Sequence, residues 1–311
     1  MSSPPSHDHK TLGTLASLGA FALWGVLVVY WKALQHVSAY EILAHRIVWS
    51  LVFTAGLLTL YRGWSSVTRL LQSPRAAALL AVSSLLVGSN WLTYIWSVTH
   101  DRIVEASLGY YITPLVNVAL GAIFLRERLR AVQVAAFVLA GAGVANLLIV
   151  QGSVPWIAVV LSVTFGFYCL IRKVATLESL PGLVAETAVL TLPAGGFLVY
   201  LAANGGGAAG HCNWQTDALL LGAGLVTATP LLLFVYGARR ISMAAMGIIQ
   251  YSSPTGALLL AVLVYGEPFD QARKTTFAFI WAALAVYSVH AVMVSRRSQA
   301  AKPVNAPDFD S

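Results

Sequence analysis

Residues 90–127, NWLTYIWSVTHDRIVEASLGYYITPLVNVALGAIFLRE, read as two membrane-spanning helices joined by a short polar turn at Thr99–Glu105. The same pattern returns 140 positions later, where Tyr111 falls on Tyr251, Pro114 on Pro254, Leu120 on Leu260 and Glu127 on Glu267. At that offset Leu92 also meets Leu232, Phe137 meets Phe277, Ala142 meets Ala282 and Ala145 meets Ala285. In both copies an apolar run is broken by one proline and closed by one glutamate. A register shared over so long a stretch points to an internal duplication.

The composition sets the solvent. Hydrophobic residues make up 58% of the 311 and charged ones 10%, against about 25% charged in soluble domains. A water-soluble fold could not cover that much apolar surface, so the chain reads as an all-α integral membrane protein. The net charge of +7 does not point to nucleic acid. The basic residues stand singly or in pairs between apolar runs, as orientation signals in a bilayer do. Cys169 and Cys212 fall on opposite membrane faces in the topology below and are not expected to pair. The polar start MSSPPSHDHK precedes a span without a small-residue cleavage site, which reads as a retained helix.

A span needs about 20 apolar residues. Runs free of Asp, Glu, Lys, Arg and His are Thr11–Trp31, Ile47–Tyr61, Ala76–Thr99, Ala106–Leu125, Ala131–Ile171, Thr187–Gly210, Ala218–Ala238, Ile241–Gly266 and Thr275–Val289. The long fifth run holds two spans with the turn Gln151–Pro155 between them. Ten helices result, five on each side of Gln151. With the N-terminus inside, 14 of the 19 lysines and arginines face the cytoplasm; Lys32, Arg46, Arg102, Arg273 and Lys274 do not. Both termini are therefore expected inside. Five is an odd number, so the second copy enters from the opposite face, and two inverted five-helix repeats follow. Such pairs build alternating-access carriers, with the solute held near the midplane. The expected divisions are a disordered tail over 1–10, a first repeat over 11–150, a second over 151–294 and a disordered tail over 295–311.

Several polar residues lie at membrane depth. Ile47–Tyr61 is too short to span, so the second helix starts near Tyr40 and draws His45 and Arg46 into the bilayer. Glu41 then stands one turn above His45 on the same face. Arg46 either snorkels outward, paired with Glu41, or lines a cavity. Glu186 stands about one turn inside the seventh helix, where the helix dipole or a functional role accounts for it. Asn90 and Tyr94, with Ser83 or Ser97, form a polar stripe, joined by Trp91, Trp96, Tyr110, Tyr111 and Asn117. Thr229, Tyr236, Gln250, Tyr251, Ser252 and Ser253 are their counterparts. Interhelical hydrogen bonding suits Asn117, Ser252 and Ser253, while the aromatics suit an amphipathic solute. Pro114 and Pro254 each free a carbonyl, implying a kink beside the cavity. Trp24-Gly25 and Phe165-Gly166 match at offset 141, with the glycines allowing close helix approach.

No P-loop, HExxH, GxSxG, dinucleotide fingerprint or Cys/His metal set is present. No cofactor, no metal and no catalytic residue is expected. The rivals to a carrier are a membrane sensor or assembly factor, against which the short soluble segments count, and a lipid-acting membrane enzyme. A small-molecule substrate and membrane lipid are the expected partners, nucleic acid is not, and a homodimer is left open.

At Trp24-Gly25, Glu41-Ile-Leu-Ala-His-Arg46, Asn90-Trp91-Leu92, Glu105-Ala-Ser-Leu-Gly-Tyr110 and Pro114-Leu-Val-Asn117 the chain closely resembles the RarD family. These are EamA-type carriers of the drug/metabolite transporter superfamily. Arg172-Lys173, Glu186-Thr187, Gln250-Tyr251 and Tyr265-Gly-Glu267 extend the resemblance from about Thr11 to Met293. It implies a bacterial inner-membrane protein of ten helices in two EamA domains. It also implies a central cavity lined by helices one, three, four, six, eight and nine. The substrate-binding candidates are then Trp24, Arg46, Asn90, Trp91, Tyr94, Tyr110, Tyr111, Tyr168, Gln250 and Tyr251. The gating or coupling candidates are Glu41, His45, Glu186, Pro114 and Pro254. Cys169 and Ser253 stand where the family is expected to carry glycine, and the loop at Asn204–Gly207 looks particular to this chain.

Overall fold

The structure, a computed structural model, describes residues 7–126, 131–152, 154–174, 179–238, 240–241 and 249–300. Glu127, residues 242–248 of the eighth apolar run and most of the C-terminal tail lie outside them. Among the described residues all regular structure is helical: α1 (His7–Ala33), α2 (Ala39–Leu60), α3 (Trp64–Leu71), α4 (Pro74–Thr99), α5 (Ile103–Phe124), α6 (Ala131–Gln151), α7 (Trp156–Val174), α8 (Ser179–Ala203), α9 (Trp214–Ala238), α10 (Ser252–Leu259), a π-helical turn at Leu260–Val264, and α11 (Gln271–Ala300). Seven of these, α1, α2, α4, α5, α6, α8 and α9, are long and apolar enough to cross a membrane; α7 and the Ser252–Val264 segment are shorter apolar helices. This is a multi-pass membrane protein.

Local chemistry sets the boundaries. α2 starts at Ala39, upstream of the uncharged run, because fifteen apolar residues cannot reach across the hydrocarbon. α4 opens with Pro74 at its first position behind Ser73, whose hydroxyl accepts from the Ala76 N–H at 3.4 Å. Five elements differ from the sequence expectation. The polar link after α2 contains a helix, α3, whose Val67 is buried while Ser65 and Arg69 stay outside. α8 begins at Ser179 and ends at Ala203, so Glu186 lies two turns in rather than one. α1 begins at His7 and α11 runs to Ala300, so helix replaces part of each expected tail. The eighth run is interrupted: Gln250 and Tyr251 form a turn before α10. Pro254 has no N–H to offer the Gln250 carbonyl, which accepts instead from Ser253 N at 3.3 Å. The carbonyl expected to be freed by Pro254 is therefore occupied. Pro114 lies inside α5, which runs through it.

Small residues let the helices meet, as packing within lipid requires. α1 packs on α9 and α10, α2 on α8 and α9, α4 on α7 and α8, α5 on α7, and α6 on α11. At Gly25 a Cβ would stand 3.0 Å from the Ser253 carbonyl oxygen, and at Gly166 one would stand 2.8 Å from Val116 Cγ1. At Gly224 it would fall 2.3 Å from the Trp49 carbonyl group, so no side chain fits where α9 crosses α2.

Candidate solute-binding site

A buried polar layer lies where α2, α4, α5, α7 and α8 meet. Asn90, 1% exposed on α4, donates from Nδ2 to the Leu161 carbonyl and to Thr164 Oγ1 of α7, both at 3.0 Å. Its Oδ1 accepts from the Tyr110 hydroxyl of α5 at 3.2 Å. One amide thus ties three helices together. Tyr94, one helical turn along from Asn90, meets the Tyr110 ring edge-on at 5.7 Å. Tyr110 also abuts Phe165, which in turn abuts Tyr168.

From Tyr168 the layer continues to α8. Glu186 is fully buried and accepts from Ser83 Oγ at 2.8 Å, from the Tyr168 hydroxyl at 3.1 Å and from Arg172 Nη1 at 3.3 Å. The first-turn dipole account of Glu186 is corrected here: two turns into the helix, the carboxylate is held by three side chains from α4 and α7. A buried carboxylate keeps its charge only with such partners.

Arg46 occupies the other side of the layer, about 10 Å along α2 from Ala39 at roughly 1.5 Å per residue. Its guanidinium carbon stands 4.3 Å from the centre of the Trp91 ring and 5.0 Å from that of Trp31. Tyr94 and Tyr110 are its electrostatic neighbours. The pairing of Arg46 with Glu41 is not found. Glu41 Oε1 instead accepts from the backbone N–H groups of Ala208 and Ala209, at 2.7 and 3.2 Å. Gly207, with φ +94°, turns the loop that presents them. Five residues along α2 and about 140° round it from Glu41, the Arg46 guanidinium faces Trp31 and Trp91 instead, while Glu41 is taken by the two converging N–H groups. Nε and Nη1 of Arg46, and both ring nitrogens of His45, are buried with no acceptor or donor among the described residues.

The remaining candidates form separate groups. Tyr111 and Tyr251 stack at 6.1 Å between α5 and the α10 turn. Tyr111 shares a hydrogen bond with Thr255 at 2.5 Å and packs on Phe277 and Trp281 of α11; the Tyr251 hydroxyl is buried without a partner among the described residues. Gln250 adjoins Tyr251 in the turn. Trp24 packs on Phe21 and Phe234, an aromatic cluster between α1 and α9. The hydrogen bonds expected of Asn117 and Ser252 differ. Asn117 Oδ1 is buried and unpaired among the described residues, and Ser252 bonds back to the Ile249 carbonyl of its own segment. Asn117 lines a cavity of about 220 Å³ with Leu120, Gly121, Gly166 and Cys169. Ser97 likewise bonds the Thr93 carbonyl of its own helix. Both cysteines are free. Among the described residues no three His, Cys, Asp or Glu side chains converge on a metal position.

Three features were not legible in the sequence pattern. Trp31, in an apolar run, is the second face against Arg46. Thr164 looked like an ordinary helix threonine. Glu267, 6% exposed, accepts from the Ile103 and Val104 N–H groups at 2.7 and 2.9 Å and so caps α5.

Residues 11–149 match the EamA-like transporter family. A Vibrio cholerae protein named as an uncharacterized transporter is 44% identical over 299 residues, covering 96% of this chain and 99% of its own. Protein RarD of Escherichia coli K12 is 42% identical over 286 residues, covering 92% and 97%. The chain belongs to the EamA-like transporter family, among the RarD proteins. A more distant Pseudomonas aeruginosa relative, named chloramphenicol-sensitive protein RarD, is 29% identical and covers 88% of this chain and 92% of its own. One solved crystal structure, 20% identical, superposes with a TM-score of 0.58 over 91% of this chain and 98% of that one, and so shares the fold. The named transporters among these relatives make this chain a membrane transporter in general terms.

Proposed function

We propose that this RarD-family protein is a secondary carrier that moves a small organic solute across a bacterial inner membrane by alternating access. The carrier is two inverted repeats of five spans, residues 11–150 and 151–294, with both termini cytoplasmic. The observation that carries the proposal is where the buried polar bonds run. Asn90 to Leu161 and Thr164, Ser83 to Glu186, Tyr111 to Thr255 and Asn146 to Ala272 and Thr276 all cross between the two halves. Polar side chains inside a membrane protein are costly and concentrate where solutes pass. The helix pairing agrees with an inverted repeat, because swapping the halves turns α1 on α9 into α7 on α4 and α1 on α10 into α7 on α5. Glycines recur at the two latter crossings, Gly25 and Gly166.

In this reading Arg46, Asn90, Trp91, Tyr94, Tyr110 and Tyr168 contact the solute. Glu186 and Pro114 act in coupling and hinging, and Glu41 closes the outer face through the 208–209 loop. The turn at Gln250–Tyr251 ahead of Pro254 is a broken helix of the kind that lines carrier sites. Flux measured in proteoliposomes against a panel of neutral, anionic and cationic organic solutes tests the proposal. At least one solute is expected to move, and Asn90→Leu to slow it tenfold or more with folding intact. Absence of flux for the whole panel, or full flux in Asn90→Leu, overturns it.

A further inference from the structure

We infer that the Arg46 site takes the carboxylate of a monoanionic solute with a flat, aromatic body; the inference rests on the Arg46–Asn90 layer being the solute site. Arg46 is 8% exposed, and Nε and Nη1, which carry three N–H donors between them, meet no acceptor among the described residues. Among the described residues it makes no ion pair. A guanidinium in this position is only partly compensated by the two indole faces beside it, worth about 2 kcal/mol each when desolvated. What it lacks is a negative charge with at least two acceptor oxygens.

The surroundings narrow the ligand. Arg46 is one positive charge, and among the described residues its electrostatic neighbours are Tyr94 and Tyr110 rather than a second cation, so a monoanion cancels it and a phosphate dianion would leave charge buried and unpaired. Carboxylate is planar and matches guanidinium donors. Past the guanidinium stand the partly exposed rings of Trp91, Tyr94 and Tyr110, which suit an aromatic or heteroaromatic body. The Tyr94 and Tyr110 hydroxyls add polar contacts for a heteroatom at the edge of the ring. A cation is refused here, and a neutral amide supplies only one acceptor in place of two.

The test is thermal-shift and tryptophan-fluorescence titration of the purified full chain in detergent, with four probes: indole-3-acetate, indole-3-acetamide, tryptamine and phenyl phosphate. Indole-3-acetate is expected to bind at least tenfold more tightly than the other three, and Arg46→Gln to abolish that preference. Arg46→Lys keeps the charge without the planar donor set, so it is expected to retain the preference for the anion with at least threefold weaker binding. Equal binding of acid and amide by the unmutated protein overturns the inference whether or not the variants fold. Tighter binding of phenyl phosphate overturns the choice of a carboxylate. Binding of the acid with unchanged affinity in folded Arg46→Gln places the anion elsewhere and overturns the assignment to Arg46. The carrier proposal fails separately: flux of a neutral solute with no acid preference sinks this inference alone, and acid binding without flux of any solute sinks the carrier alone.

Discussion

Replacing Glu267 by alanine would remove the cap from α5 and leave the Ile103 and Val104 N–H groups buried without acceptors. Both bonds, at 2.7 and 2.9 Å, go to one carboxylate that is 6% exposed. An orphaned buried donor costs about 1–3 kcal/mol, and loss of a negative charge at a helix N-terminus adds about 0.3–1 kcal/mol. Two donors and the dipole give about 3 kcal/mol, after allowing for the relief of burying a charge. At roughly 2 °C per kcal/mol for a chain of this size, Glu267→Ala should lower Tm by about 6 °C. Glu267→Gln keeps one acceptor and should lose about half as much. Glu105→Gln is the control, since its contact with Arg102 is long, 3.7 Å, and solvent-exposed on the arginine side. Burial pushes the Glu267 carboxyl above its ordinary 4.5, outweighing the two N–H groups that pull it down. Its folded value therefore exceeds its unfolded one, so the native protein binds the proton more tightly. Stability relative to Glu267→Gln should fall as pH rises from about 4.5 to the folded value and stay level above it. A Tm change under 1 °C in Glu267→Ala, by scanning fluorimetry in detergent at pH 7, would refute the capping account.

Gly224→Ala puts a methyl group 2.3 Å from the Trp49 carbonyl, so it should cost about 1–3 kcal/mol and visibly reduce Tm. Gly141→Ala, with open space around it, should be neutral or stabilise by about 0.5–1 kcal/mol. Glu186→Ala leaves the Ser83 and Tyr168 hydroxyls without their shared acceptor, and a loss of about 2–4 kcal/mol follows; an unchanged Tm in detergent speaks against the three-contact arrangement. Cys212 is exposed in the loop before α9 and Cys169 is half-buried, so an impermeant maleimide added to intact cells lacking the outer membrane should label Cys212 and spare Cys169.

How much was legible depended on what kind of partner each residue has. The length limit on a span fixed the start of α2 and drew Arg46 inward, because fifteen apolar residues and a thirty-ångström core leave little choice. The polar stripe on α4 likewise showed through its spacing, and Asn90 does tie α4 to its neighbours. Glu41 and Glu267 were misjudged or passed over because their acceptor duty is toward backbone N–H groups, which leave no mark in a sequence. Glu41 has its partners 167 and 168 positions away. Trp31 was hidden for a different reason: one more aromatic in an apolar run looks like packing until the helix phase puts it against a guanidinium. α3 escaped because eight residues with serines and an arginine resemble a link rather than a helix. The glycine pairs were readable, since small residues in apolar helices have few uses other than close approach.

Substituted-cysteine accessibility at Thr164, in a Cys169→Ser/Cys212→Ser background, tests most directly that the Asn90 layer is an alternately opened solute chamber. Thr164→Cys should react with an impermeant thiol reagent from either side of the membrane, applied to sealed right-side-out and inside-out vesicles. A transported solute should protect it from both. Reaction from one side only, or from neither under conditions where Cys212 reacts in the unmutated chain, would contradict the account.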